Sequence, residues 1–280
     1  MKKFGGVSTA LITPFLKGEV DYTSIKKLLK FQLDNGIQGF VVNGTTAESP
    51  TLTAEERVKI FKFVQGEVAG QVPVIMGTGT NSTAETVART QEAANLAASA
   101  ALVVVPYYNR PPQAGLLAHF KTVAENSDIP IILYNVPSRT VVKLELDTIL
   151  KLSKEEKIVG IKEATGDMHF AGKIRSGVSK EFTLLSGDDA SFGHFINAGG
   201  DGIISVGSHV FPREFVTLQA KEAGSEKKFE ASLATINNLY LEPNPIPVKM
   251  ALFLMGLIAS PELRLPLTTM SAEVIPKLKA

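Results

Sequence analysis

Lys162 closes the short apolar run Ile158–Ile161, and Glu163-Ala164-Thr165-Gly166-Asp167 follows it. Such a run, without alternation, reads as a strand buried on both faces, and Gly166-Asp167 opens the next turn and helix. A lysine at the last position of a buried strand is costly to desolvate. Desolvation also lowers the amine's pKa, and a neutral amine attacks a ketone to form a Schiff base. The competing reading is a lysine that extends its ammonium to a nearby surface.

Other groups suited to this chemistry follow other apolar runs. They are the hydroxyl-rich Asn43-Gly44-Thr45-Thr46-Ala47-Glu48-Ser49, then Gly77-Thr78-Gly79-Thr80-Asn81, Pro106-Tyr107-Tyr108-Asn109, Tyr134-Asn135-Val136-Pro137-Ser138-Arg139-Thr140 and Ser186-Gly187-Asp188-Asp189. A phenol beside the amine can shuttle protons while a carbinolamine loses water, with threonine hydroxyls as relays. Backbone N–H groups at glycine turns can hold a carboxylate, and the planar fork of an arginine can bind a second one. Each group also has a plain reading: Tyr134 as a core residue, Arg139 as a surface ion-pair former, Tyr107-Tyr108 as packing.

The strands that must position these groups are predicted at Val7–Ile12, Gly39–Val42, Val74–Met76, Leu102–Val105, Ile131–Tyr134, Val159–Lys162, Thr183–Leu185 and Gly202–Ser205. Amphipathic stretches separate them at 24–35, 54–68, 84–98, 116–125, 144–152, 168–176, 190–197 and 212–220. Asn81 and Asp188 are expected N-caps, and Thr53-Ala54-Glu55-Glu56 has the form of a capping box. Strand–helix units in tandem predict a parallel sheet, and their number is that of a (β/α)8 TIM barrel, whose active site gathers at the C-terminal ends of the strands. A doubly wound open sheet is the alternative, but the nucleotide fingerprint such sheets carry is missing: Gly77-Thr78-Gly79 lacks a third glycine. Residues 1–224 are expected to form the barrel. Residues 225–280 are expected to form a C-terminal helical extension, with helices at 226–240 and 247–258 around Glu242-Pro243-Asn244-Pro245-Ile246-Pro247.

Composition narrows the function classes. Formal charge is +1, from 29 basic and 28 acidic residues, without a basic block, which argues against nucleic acid or an anionic membrane as partner. There is no cysteine, hence no thiolate nucleophile and no cysteine-ligated metal, and a cytoplasmic location is expected. Met1-Lys2-Lys3 and the apolar stretch after it superficially resemble a signal peptide, but Gly5-Gly6 and Pro14 break the run, which reads as a first strand. The four histidines, His119, His169, His194 and His209, show no ligand spacing, so a metal-dependent aldolase is disfavoured.

Taken together, these segments resemble the dihydrodipicolinate synthases (4-hydroxy-tetrahydrodipicolinate synthases) among the pyruvate-dependent Schiff-base aldolases. The resemblance spans nearly the whole chain and also includes Gly160-Ile161-Lys162-Glu163-Ala164 and Glu242-Pro243-Asn244-Pro245-Ile246-Pro247-Val248-Lys249. It implies that Lys162 forms an imine with pyruvate, without any cofactor, and that Tyr134 shuttles protons. Thr46 would link Tyr134 to Tyr108 of a neighbouring subunit in a homotetramer built as a dimer of dimers. Thr45 and the Gly187 turn would bind the pyruvate carboxylate, the Ile204 carbonyl would line the site, and Arg139 would bind the carboxylate of L-aspartate 4-semialdehyde. Ser49, Asn81, Glu85 and Tyr107 match the pattern of a cleft that binds L-lysine as inhibitor. Arg57 adds a cation there, so weak to moderate inhibition is expected. The sister reading is another 2-keto-acid aldolase such as N-acetylneuraminate lyase, against which Thr45-Thr46 and Arg139 argue. A barrel that binds a metabolite without turnover is the reading from a different class.

Overall fold

The computed structural model describes residues 4–279; Met1-Lys2-Lys3, weighed above as part of a leader, lies outside them. The barrel strands are β1 (Gly6–Ala10), β4 (Gly39–Val42), β5 (Val74–Gly77), β6 (Ala100–Val104), β7 (Ile131–Asn135), β8 (Ile158–Glu163), β9 (Thr183–Ser186) and β10 (Gly202–Ser205), while β2 (Phe15–Leu16) and β3 (Glu19–Val20) form a small antiparallel ribbon. The order β1-β10-β9-β8-β7-β6-β5-β4 is that of a closed barrel, as expected for a (β/α)8 fold. Short runs of β-branched and other apolar residues such as Ile131-Ile132-Leu133 are buried throughout, as in parallel strands covered on both faces.

The chain divides into two compact units. One comprises Pro73–Ile204 with the N-terminal residues up to Gly6; the other comprises Val7–Val72 and Ser205–Ala280. In the first, β5 to β10 pair in parallel with α3 (Thr83–Asn95), α4 (Gln113–Glu125), α5 (Pro137–Thr140), α6 (Leu146–Leu152), α7 (Met168–Gly177) and α8 (Phe192–Asn197). Val103, Phe120, Leu133, Ile161, Ile174 and Leu184 belong to its core. In the second, β1 pairs with β4, accompanied by α1 (Tyr22–Asp34), α2 (Ala54–Val68), α9 (Pro212–Gln219) and the C-terminal helices α10 (Ser225–Asn238) and α11 (Ile246–Leu254). Among the described residues no helix is long and apolar enough to cross a membrane.

The capping box forms as predicted: Glu56 N–H donates to Thr53 Oγ1 at 3.2 Å and Thr53 N–H donates to Glu56 Oε2 at 2.9 Å. Two expected caps are displaced. Ser82, not Asn81, caps α3, because its hydroxyl reaches the Glu85 N–H while Asn81 lies one residue before it. Asp188 accepts the Ser191 N–H at 3.0 Å and so closes a turn ahead of α8, which begins only at Phe192. Strands β7 and β8 also run one residue beyond the predicted ends, to Asn135 and Glu163, so Lys162 is the penultimate residue of its strand.

Candidate active site

A β-bulge brings the lysine to its partner. On β7 and β8 the register passes from Ile131 opposite Ile158 to Ile132 opposite Gly160, which leaves Val159 as an extra residue. An extra residue shifts everything after it by one position and re-aims the side chains. Downstream of the bulge Tyr134 is the partner of Lys162. Gly160, the first residue past the bulge, lets the next strand approach closely on its other side: a Cβ there would lie 2.5 Å from the carbonyl oxygen of Thr183 on β9. Both side chains are buried, and Lys162 Nζ stands 4.4 Å from the centre of the Tyr134 ring.

The electrostatics suit nucleophilic amine chemistry. Burial pulls the Lys162 pKa down to about 8; Asp189 opposes the fall and the positive charge of Arg139 assists it. A measurable fraction of the amine is therefore neutral near neutral pH. Burial pushes the Tyr134 phenol up to about 12, against a smaller opposing pull from Arg139, so the hydroxyl keeps its proton and can both give and take one. Arg139 is exposed on α5, the short helix that follows β7.

Gly187 follows β9, whose Leu185 is the register partner of Lys162. A Cβ on Gly187 would come within 2.9 Å of Lys162 Cε and 2.6 Å of Ala164 Cβ, so the turn lies directly on the lysine stem and needs glycine to do so. Ile203 pairs with Ser186, which sets Ile204 and Gly187 at neighbouring strand ends. Lys162, Tyr134, Arg139, Gly187 and Ile204 thus belong to one compact unit and to successive strand ends. Asp189, next in the same turn, is buried and acts on the Lys162 charge.

Tyr107 and Tyr108 occupy an exposed turn after β6; Tyr108 is 88% exposed with φ of 72°, a left-handed conformation uncommon for a tyrosine. Asn109 Nδ2 donates to the Asn81 carbonyl at 2.8 Å, tying this turn to the one after β5. Glu85 lies nearby in sequence but is already engaged by Arg89 in an i,i+4 ion pair.

In the second unit, Thr45 and Thr46 lie in the 3-10 turn Thr45–Ala47 after β4. Thr46 is buried, and its hydroxyl accepts a hydrogen bond from Asn244 Nδ2 at 2.9 Å. Ser49 begins the next short turn, and Arg57 on α2 donates to the Leu52 carbonyl at 3.0 Å. Glu48, between the two turns, takes the left-handed region at φ 56° and is buried against Lys249 of α11. Sequence reasoning assigned no role to this pair; the available signal is a lysine inside the otherwise apolar run Ile246–Leu252.

His119 is a packing residue, buried with its Nδ1 2.9 Å from the Thr83 hydroxyl and its pKa lowered to about 4 by burial. Among the described residues no group of three or more histidine, aspartate or glutamate side chains could hold a metal ion.

Comparison with known proteins agrees with this arrangement. Residues 3–280 match the model of the dihydrodipicolinate synthetase family. A 4-hydroxy-tetrahydrodipicolinate synthase of Bdellovibrio bacteriovorus is 50% identical over 100% of this chain and 97% of its own length. The crystal structure of dihydrodipicolinate synthase from Aquifex aeolicus superposes with a TM-score of 0.94 at 45% identity, covering 99% of this chain and 96% of that one. The lysine-bound enzyme of Cyanidioschyzon merolae gives a TM-score of 0.94 at 38% identity, over 100% and 97% of the two chains.

Proposed function

The chain belongs to the dihydrodipicolinate synthetase family, and from that premise we propose that it condenses pyruvate with L-aspartate 4-semialdehyde through an imine on Lys162. The observation that carries this reading is a buried amine, its pKa drawn down to about 8, held 4.4 Å from the ring of a buried, protonated tyrosine. The neutral amine adds to the pyruvate ketone. Tyr134 moves protons as the carbinolamine loses one water to become the imine. Loss of a methyl proton gives the enamine, whose carbon attacks the aldehyde of the second substrate. That substrate's own amine then displaces Lys162, which leaves as a free amine while the ring closes, so the cycle needs no metal or other cofactor.

The remaining roles follow the family pattern. Thr45 and the Gly187 turn hold the pyruvate carboxylate, and the Ile204 carbonyl lines the site. Thr46 relays protons between Tyr134 and Tyr108, and Arg139, exposed after β7, takes the semialdehyde's carboxylate. The exposed, left-handed Tyr108 suits a residue that serves a neighbouring subunit of a homotetramer, and a sequence without cysteine fits the reducing cytoplasm to which the enzyme is assigned. L-Lysine is assigned to a regulatory cleft bearing Ser49, Asn81, Glu85 and Tyr107. The Arg89 ion pair on Glu85 and the added cation of Arg57 make the inhibition weak to moderate. Two measurements bear on these last assignments: full turnover by a monomer in sedimentation experiments would remove the shared-site role of Tyr108, and calorimetry showing no heat at millimolar L-lysine would remove the cleft.

The principal test is covalent. Borohydride reduction in the presence of pyruvate is expected to add one pyruvate-derived mass to a peptide containing Lys162. The trapping rate should climb with pH through about 8 as the amine loses its proton. Addition of L-aspartate 4-semialdehyde to the unreduced enzyme should then give turnover. A reduced adduct on any other lysine would refute the assignment.

A further inference from the structure

The residues that extend β7 and β8 past their apolar runs are polar and buried: Asn135 is 0% exposed and Glu163 3% exposed. They are register partners, immediately after the Tyr134–Lys162 pair. Side chains alternate along a strand, so Asn135 and Glu163 meet on the face opposite the tyrosine and the lysine. There Asn135 Nδ2 donates to Glu163 Oε2 at 2.8 Å. The other carboxylate oxygen accepts the Thr165 N–H at 2.6 Å, and Asn135 Oδ1 accepts the Leu144 N–H at 2.9 Å. The backbone continues the brace: the Ala164 N–H donates to the Asn135 carbonyl at 2.9 Å, and the Gly187 N–H to the Glu163 carbonyl at 2.7 Å.

The donor–acceptor order along this chain of contacts is fully determined. Both ends are backbone N–H groups, so two side chains must offer an acceptor to each and still match one another in the middle. An amide facing a carboxylate meets that demand. An amide facing an amide leaves one N–H pointed at another N–H, and two facing carboxylates repel and match only at the cost of taking up a proton between them. Burial raises the Glu163 pKa while the hydrogen bonds from Thr165 and Asn135 oppose the rise, as befits a carboxylate retained for its acceptors. The points tied down are functional ones. Leu144 ends the excursion from 136 to 143 that carries Arg139, Thr165 follows the lysine strand, and the register between them sets Tyr134 opposite Lys162.

We propose that Asn135 and Glu163 are positioning residues for the reaction, acting through the strand register behind Lys162 and Tyr134 and through the anchored return of the Arg139 excursion. The proposal rests on the reading of Lys162 as the imine-forming residue. It makes an exchange prediction: Asn135→Asp and Glu163→Gln should each break the match, whereas the double variant N135D/E163Q rebuilds it with the polarity reversed. An aspartate at 135 would accept both the Leu144 N–H and the glutamine NH2, and the glutamine oxygen would accept the Thr165 N–H.

The test uses the full-length protein, the two single variants and the double variant. It reads the rate of borohydride-trapped pyruvate adduct at Lys162, kcat, KM for each substrate, and the thermal midpoint. Each single variant is expected to slow adduct formation and raise KM for L-aspartate 4-semialdehyde, each by about tenfold or more, as one unmatched buried donor or acceptor would. The double variant is expected to return to within about threefold of the parent. Failure of the parent to form an adduct at Lys162 would overturn the reading of the site itself. With a normal parent, single variants that lower only the thermal midpoint would overturn the positioning role. So would a double variant no better than the worse single one, failure to fold included.

Discussion

Lys162→Met is expected to produce an inactive protein that is more stable than its parent. Removing the nucleophile takes away the covalent route altogether, so kcat should fall by a factor on the order of 10³ or more. Stability moves the other way. The Lys162 pKa drops from 10.5 to about 8 on folding, chiefly through burial, so the folded state disfavours the ammonium form. At about 1.4 kcal/mol per pH unit, that corresponds to a penalty of about 3 kcal/mol at neutral pH. The sign follows from proton counting. Between about 8 and 10.5 the unfolded chain holds the proton and the folded one does not, so this group's contribution to stability improves as pH rises through that window and is least favourable below it. Methionine keeps most of the stem's packing and has no charge to desolvate. Chemical denaturation at pH 7 should therefore show a gain of about 1–3 kcal/mol, shrinking as the pH is raised towards 10. Lys162→Arg separates the two roles of the residue. It restores a cation beside the Tyr134 ring but cannot supply a neutral amine, and it should be as inactive as the methionine variant. Substantial turnover by either variant would end the Schiff-base reading.

The number of strand–helix units and the place of Lys162 were legible in the sequence because the physics that produces them is local. A strand buried on both faces must be a short apolar run, and a helix start such as Thr53–Glu56 has its partners within one turn. The alignment of lysine with tyrosine was not. It depends on the extra residue Val159, and a strand apolar on both sides has no alternation from which a one-residue shift could be read. Gly160 is its only local trace, since a glycine inside a strand often marks a bulge or a close backbone approach. Asn135 and Glu163 were hidden for the opposite reason. Their polarity ends the hydrophobic pattern, so the pattern stops one residue short of each strand, although these are the residues that bond across the two strand ends. Asn81 and Asp188 were misplaced as caps because several adjacent polar residues could each have filled that role, and only the backbone path chooses among them.

The largest structural effect is expected in the second unit, where Glu48→Gln or Lys249→Met should each destabilise the protein by about 3–5 kcal/mol. The pair is fully enclosed, with side-chain exposures of 1% for Glu48 and 0% for Lys249. Lys249 Nζ donates to Glu48 Oε1 and, at 2.8 Å, to the Glu262 carbonyl, and it stands 4.2 Å from the centre of the Phe15 ring. Glu48 Oε2 accepts the Arg264 N–H at 3.0 Å, and the Arg264 guanidinium grips both oxygens of Glu56 at 2.7 and 2.6 Å. Burial draws the Lys249 pKa down to about 8 even with Glu48 opposing it, so the ammonium depends on its partner to remain charged inside the fold. Either substitution takes from one enclosed charge the opposite charge it is directly hydrogen-bonded to, leaving only the weaker influence of Arg264 on Glu48 or of Glu262 on Lys249. The double variant E48Q/K249M leaves neither charge behind, and it should recover at least half of the summed loss, with the Glu262 carbonyl that loses its donor and the glutamine NH2 that faces methionine as the remainder. Because Glu48 directly follows the Thr45–Ala47 turn and donates its N–H to the Thr45 carbonyl at 3.1 Å, the single variants should also lower kcat in whatever fraction stays folded. Urea titration gives the stability, with the midpoint moving and the slope unchanged. Single-variant losses below about 1 kcal/mol, or losses that simply add in the double variant, would show that the two side chains are not an interdependent buried pair.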